Sequence, residues 1–256
     1  MSIDDWNSIL SSFRQIEEGS LGLLKTGRKD LVAAEYGLHL NNVNFAYYAM
    51  CVEKDYEKAL NYFYKAAMMA VKNLRLSQSR DDTPLESCLS LLFPVILCGE
   101  KKILKYFMTD DVFEPNGEKQ YPASYSYVKS LQFILKDDYP TAKYWLERLE
   151  MYIPSRWRGG KYYALFLKGI VYHDKNLMEE SVRYFLKYRS KIYSDLGCFA
   201  MEATFFLKIA HILGISLEIK SPYVPQGLIE MGPLDQYVGY DFFPEIEAYI
   251  DKILQK

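Results

Sequence analysis

The side chains that could do chemistry in this 256-residue chain are three histidines, four cysteines and a few paired acids. His39, His173 and His211 fall in different helical or turn contexts. None forms His-x-x-x-His or His-Glu-x-x-His, the spacings that set two imidazoles on one helical face around a metal. The acid pairs Asp110-Asp111, Asp137-Asp138 and Glu179-Glu180 stand at turns or helix starts, where carboxylates complement the positive end of the helix dipole. A carboxylate-rich metal centre built from several helices would need Glu-x-x-His pairs, which the sequence does not contain. No Gly-x-Ser-x-Gly or Gly-x-Gly-x-x-Gly occurs. Lys25-Thr26 lacks the preceding Gly-x-x-x-x-Gly of a phosphate cradle, so a loop over Gly19 to Gly27 is expected rather than a nucleotide site. These spacings predict a non-enzymatic protein without cofactor or metal. Cys51, Cys88, Cys98 and Cys198 are widely spaced inside apolar helical patterns, with no Cys-x-x-Cys pair, and are expected as buried free thiols in a reducing compartment.

Recognition chemistry is the remaining possibility. A formal net charge of −2 excludes general nucleic-acid binding, which depends on clustered Lys and Arg releasing counterions. Arg156-Trp157-Arg158 sets two guanidiniums around an indole, a group that could hold a phosphate or stack on a base; the alternative is a solvated connection with Trp157 tucked onto the core. From Gly197 onward, eight acids (Glu202, Glu218, Glu230, Asp235, Asp241, Glu245, Glu247, Asp251) stand against four lysines (Lys208, Lys220, Lys252, Lys256). Among them Tyr237, Tyr240, Phe242 and Phe243 occupy a glycine-punctuated loop. Asp235, Tyr237, Tyr240 and Asp241 are the expected partner-binding residues, aromatics to anchor and carboxylates to steer a basic protein such as a nuclease. The competing reading has the aromatics fasten the tail to the bundle while the acids face water.

Around these residues the periodicity is helical almost throughout. Met1 to about Glu18 reads as an amphipathic helix ended near Gly19. Leu31 to Val52 presents Tyr36, Leu40, Val43, Tyr47 and Met50 on one face, and Tyr56, Ala59, Phe63 and Ala66 follow after a turn at Lys54-Asp55. Thr83-Pro84-Leu85-Glu86 is a capping box leading into a buried helix to Cys98. Asp110 to Tyr121 is an exposed excursion. Tyr125 to Leu135 and Tyr139 to Tyr152 form a hairpin turned by Lys136-Asp137-Asp138. Lys161 to Ser190 forms another, turned at Asp174-Lys175-Asn176, in which Leu165, Gly169 and Tyr172 face Ser181, Phe185 and Tyr188. Gly169 and Ser181 are expected at the crossing. Gly214 should cap a helix beginning at Gly197, and Ile215 to Ile219 alternates with period two before two prolines impose extended backbone. A last helix starts at Pro244.

The expected fold is all-α: antiparallel helical hairpins of a degenerate tetratricopeptide-like kind in one compact bundle or short superhelix, with an extended C-terminal segment. A single domain over 1-256 is expected, with N-terminal hairpins at about 1-110 and C-terminal hairpins and tail at about 121-256. The strict 34-residue period is absent. The acidic start Met1 to Trp6 does not fit a secretory signal, and the longest apolar run, Cys88 to Cys98, is too short for a bilayer. A cytoplasmic protein with no membrane partner is therefore expected.

The phrases Asp55-Tyr56-Glu57-Lys58-Ala59, Gly197-Cys198-Phe199-Ala200-Met201-Glu202-Ala203, and Leu213-Gly214-Ile215 leading into Ser221-Pro222-Tyr223-Val224-Pro225-Gln226-Gly227-Leu228-Ile229 suggest a family. With them the chain resembles the all-helical immunity proteins of bacterial polymorphic toxin systems, the immunity protein 49 group in particular. That resemblance implies a cytoplasmic antitoxin that neutralises a cognate secreted toxin by binding it. The alternative class is a tetratricopeptide-like adaptor holding a peptide in a groove, which would require rows of exposed Asn, Lys or Arg at equivalent positions of successive hairpins.

Overall fold

The computed structural model describes residues 3–26, 32–77, 86–109, 118, 122–155, 159–192 and 199–255. Among them every regular element is helical, as the periodicity requires. In chain order these are α1 (Ile3–Lys25), α2 (Val32–Tyr48) with a π-helical end at Ala49–Glu53, α3 (Tyr56–Ser77), α4 (Glu86–Cys98), α5 (Lys101–Phe107) and α6 (Pro122–Leu135). They continue with α7 (Tyr139–Tyr152), α8 (Gly160–Val171), α9 (Lys175–Ile192), α10 (Met201–Ile212), α11 (Gln226–Glu230) and α12 (Phe243–Leu254). The capping box at Thr83 to Glu86, the Asp110 to Tyr121 excursion with its acid pair, and Arg156-Trp157-Arg158 lie outside the described residues, wholly or in all but one residue.

Two compact units emerge. The first joins Met1–Thr83 and Leu91–Tyr106 to the tail Gly232–Lys256; the second comprises Pro84–Ser90 and Phe107–Met231. In the first, α1 packs on α2, α2 on α3, and α12 on α3. The helix expected to end near Gly19 continues to Lys25. A Cβ at Gly19 or Gly22 would meet nothing within 4 Å, so neither glycine marks a turn or a tight crossing. Leu21, Leu23 and Leu24 supply helix propensity after them, which with the packing on α2 offsets about 1 kcal/mol per glycine. On α2 the expected face is only half right: Tyr47 and Met50 are buried, but Tyr36 and Leu40 are exposed. The inward face carries Leu38, Phe45 and Ala46 together with the polar Glu35, His39, Asn41 and Asn42. Polar residues with internal partners rotate the helix away from the phase that apolar residues alone suggest. On α3, Ala59, Phe63 and Ala66 are buried as expected.

In the second unit α6 packs on α7, α7 on α8, α8 on α9 and α9 on α10. The hairpins α6/α7 and α8/α9 turn by one device. Asp137 and His173 adopt positive φ (59° and 55°). Each is followed by an Asp whose amide reaches back five residues, Asp138 N to Phe133 O at 2.9 Å and Asp174 N to Gly169 O at 2.8 Å. Asp137 N to Ile134 O and His173 N to Ile170 O complete the two-bond C-terminal cap. The same aspartates then open the next helix, Asp138 Oδ1 accepting from Thr141 N and Asp174 Oδ1 from Asn176 N. Lys54 (φ 59°) and Asp55 do likewise in the first unit, with the π-helical end of α2 lengthening the closing bond to Asp55 N and Ala49 O. A left-handed conformation costs a non-glycine residue about 1–2 kcal/mol. Asp137→Gly should therefore raise the unfolding free energy by about 0.5–1 kcal/mol, because glycine adopts that conformation freely. A denaturant midpoint that falls instead would show that the Asp137 side chain holds the turn.

The α8/α9 crossing differs from expectation in its details. Gly169 meets the start of α9, not Ser181: a Cβ there would lie 2.6 Å from Met178 Cγ and 2.8 Å from Asp174 O. Ser181 instead donates from Oγ to Tyr162 O at 2.6 Å. The buried face of α8 is Tyr163, Phe166, Leu167 and Ile170, whereas Tyr172 is exposed. Four free thiols are not what the structure holds. Cys98 is a buried thiol, but Cys51 is disulfide-bonded, because spacing along the sequence fixes no distance between two thiols in the fold. Gly214 (φ 70°) caps α10 as expected, with Ile215 N bonded to Ala210 O and Gly214 N to His211 O. Beyond it Ile215 to Lys220 forms neither helix nor strand, and burial alternates along it, Ile215, Leu217 and Ile219 lying inward of the exposed Ser216, Glu218 and Lys220, the period of extended backbone. No described helix is long and apolar enough to cross a membrane.

Candidate functional site

The aromatic loop with Asp235 and Asp241 lies within the first unit, and its geometry follows from how its backbone polar groups are satisfied. Between Met231 and Tyr240 the chain forms no helix, so its N–H and C=O groups need other partners. Asn61 on α3 supplies two of them. Its Oδ1 accepts from Val238 N at 2.7 Å and its Nδ2 donates to Val238 O at 3.2 Å, pairing with that residue as a neighbouring strand would. Tyr237 turns inward, stacks on Tyr64 with ring centroids 4.5 Å apart, donates its hydroxyl to Cys98 O at 3.0 Å and accepts from Leu234 N.

Tyr240 is the second anchor. Its hydroxyl donates to the Glu17 carboxylate on α1 and accepts from Asn42 Nδ2 at 3.0 Å. Asn42 is fully buried and also donates to Leu38 O at 2.7 Å. Lys65 lies over the Tyr240 ring at 4.8 Å and Lys72 over Phe242 at 4.6 Å. Lys72 also pairs with Glu35 at 3.2 Å. Burial raises the Tyr240 phenol far above its ordinary range and the adjacent Glu17 carboxylate adds to this, so the proton stays on Tyr240 and the hydroxyl remains a donor. Burial depresses the Lys65 ammonium, partly offset by the charge of Glu17. Phe243 is buried at the start of α12, edge-on to Tyr64 and Tyr240. Gly239 is needed here because a Cβ would run into the Phe243 ring.

The four expected partner-binding residues thus divide. Tyr237 and Tyr240 direct their hydroxyls inward as anchors, while Asp235 and Asp241 are exposed, with Val238 69% exposed between them. Asn42, Asn61 and Glu17 belong to no sequence motif, although an asparagine in the apolar run of α2 is a signal that a buried partner exists. Tyr240→Phe should cost about 1–3 kcal/mol by leaving Asn42 and Glu17 short of a partner. It should also speed protease cleavage around Val238. Equal stability and equal cleavage would mean that the phenol does not hold the loop.

The histidines separate as well. His39 is buried on α2 with Nδ1 2.9 Å from Ala66 O; His173 occupies the α8/α9 turn beside the Tyr139 ring; His211 lies at the exposed end of α10. Among the described residues no group of three or more His, Cys, Asp or Glu comes together as a metal site would require. Compared with known protein families, with curated proteins and with solved structures, the chain matches none of them.

Proposed function

We propose that this chain is an immunity protein, one that neutralises a cognate secreted toxin by binding and occluding it, with the tail loop as the docking element. The observation that carries this reading is the division of labour in the loop. Two tyrosines and Asn61 hold residues 234 to 240 against α1, α3 and Cys98, and that fixed backbone presents Asp235, Val238 and Asp241 to solvent. A loop held in one conformation loses little entropy on binding, and outward carboxylates beside an exposed apolar side chain suit a basic partner such as a nuclease. Tyr237 and Tyr240 act in this scheme as positioning residues, and the contact roles pass to Asp235, Val238 and Asp241.

Co-expression with the reading frame next to its gene tests the proposal. The parent chain should rescue growth from the toxin that frame encodes. Asp235→Lys with Asp241→Lys should keep the helical circular dichroism spectrum yet associate at least about tenfold more slowly at low salt, because reversing rim charges acts mainly on the association rate. A folded double variant that binds as fast and protects as well as the parent removes the loop from the mechanism. A parent chain that gives no protection removes the immunity reading itself.

A further inference from the structure

A second surface, wholly inside the second unit, has the chemistry of a peptide-binding site. A cavity of about 300 Å³ is walled on one side by the extended segment Ile215, Leu217 and Ile219 and on the other by Leu207, Ala210 and Ile229 from α10 and α11. Its mouth carries Glu230, Gln226, Ser216 and His211. Gln226 Nε2 donates to Glu230 Oε1 at 2.8 Å, which fixes the carboxylate at the rim and leaves its other oxygen without a partner among the described residues.

The wall is held in place from both ends. Ile215 N is bound to Ala210 O, Glu218 N is held by Glu179 Oε1 at 3.3 Å, and Val224 N closes a turn on Ser221 O. Beneath it, the buried Lys208 ammonium donates to Leu228 O, Ile229 O and Met231 O at 2.7–3.1 Å. Those carbonyls end α11, so the cation satisfies the negative end of a short helix and fixes the opposite wall. Yet among the described residues the backbone N–H and C=O groups of Leu217 and Ile219 make no hydrogen bond. Backbone with alternating inward side chains and unpaired hydrogen-bonding groups is the template for an added strand.

We propose that this groove binds an extended peptide segment of a partner protein that pairs with the backbone at Leu217 and Ile219 and inserts one lysine or arginine side chain into the cavity. The apolar walls take the methylene stem and Glu230 takes the charged end. The cavity is small for a cofactor and adequate for one or two side chains. This inference does not depend on whether the partner is a toxin.

Selection of random linear dodecapeptides displayed on phage against the full chain tests it, followed by amide hydrogen exchange with the synthetic winners. Enriched sequences should place Lys or Arg between β-branched residues, slow exchange at Leu217 and Ile219, and bind Glu230→Gln about tenfold or more weakly. Leu217→Pro, which removes one backbone donor from an already extended segment, should weaken binding while the melting midpoint stays within a few degrees. If no sequence is enriched, or the winners lack a basic residue, or they bind Glu230→Gln and Leu217→Pro as tightly as the parent, the proposal is wrong. Saturable binding of n-butylamine at Glu230 with no peptide enrichment would identify a small-amine pocket and overturn it equally.

Discussion

Replacing Gly169 by leucine should lower the unfolding free energy by about 3 kcal/mol or more, and alanine alone should cost about 1–3 kcal/mol. A Cβ at this position lies 2.6 Å from Met178 Cγ, 2.8 Å from Asp174 O and 2.9 Å from Met178 N. Only the first of these atoms belongs to a flexible side chain. The other two are backbone at the start of α9, fixed by the bond from Asp174 N to Gly169 O and by the Asp174 cap on Asn176. The turn cannot retreat without losing both bonds, so the strain has no inexpensive relief. Gly22→Ala is the control. It meets nothing within 4 Å and should stabilise α1 by about 0.5–1 kcal/mol. Urea denaturation of the three variants decides the matter, and equal midpoints for Gly169→Leu and the parent would show that α8 and α9 do not approach at Gly169.

Acid should weaken the first unit through His39. Burial lowers its pKa from 6.5 to about 4, with the bond to Ala66 O opposing only part of the shift. The imidazole is therefore neutral in the folded chain and donates from Nδ1 to the Ala66 carbonyl. Between pH 6.5 and 4 the unfolded chain takes up a proton that the folded chain does not, so stability rises with pH across that window. The contribution is complete above about pH 6.5 and is lost as pH falls toward 4, a change of about 3 kcal/mol at one pKa unit per 1.36 kcal/mol. His39→Gln keeps a donor and removes the titration. Denaturant midpoints measured from pH 4.5 to 7 should flatten in that variant, and a slope equal to the parent's would place the acid sensitivity elsewhere.

The helical class was legible because apolar residues recur every three or four positions in α3, α7 and α10, and because the turn residues at Lys54-Asp55 and Lys136 to Asp138 announce themselves. What misled was polarity with a hidden partner. On α2, Tyr36 and Leu40 look like the core face, but Glu35, His39 and Asn42 take it instead, each with an internal partner such as Lys72, Ala66 O or Tyr240. Helical spacing also placed Gly169 opposite Ser181, whereas the glycine serves the turn and Ser181 binds Tyr162 O. The candidate site was legible in composition but not in orientation. Nothing in the phrase Asp235 to Asp241 says that its tyrosines face inward, because that depends on Asn42, Asn61 and Glu17, which are remote in sequence.

The return of the tail to the N-terminal helices has a consequence for the order of folding. Tyr240 meets Glu17 across 223 residues of chain and Val238 meets Asn61 across 177, whereas the hairpins from α6 to α11 close over short intervals. During synthesis the second unit can therefore bury its core as soon as residue 231 has emerged. The helices α1 to α3 meanwhile keep Asn42, Asn61 and the Tyr64 ring open until residues 232 to 254 arrive. In that interval the nascent chain exposes a groove shaped for its own tail, the stage at which a chaperone, or the tail of a second copy, would compete for it.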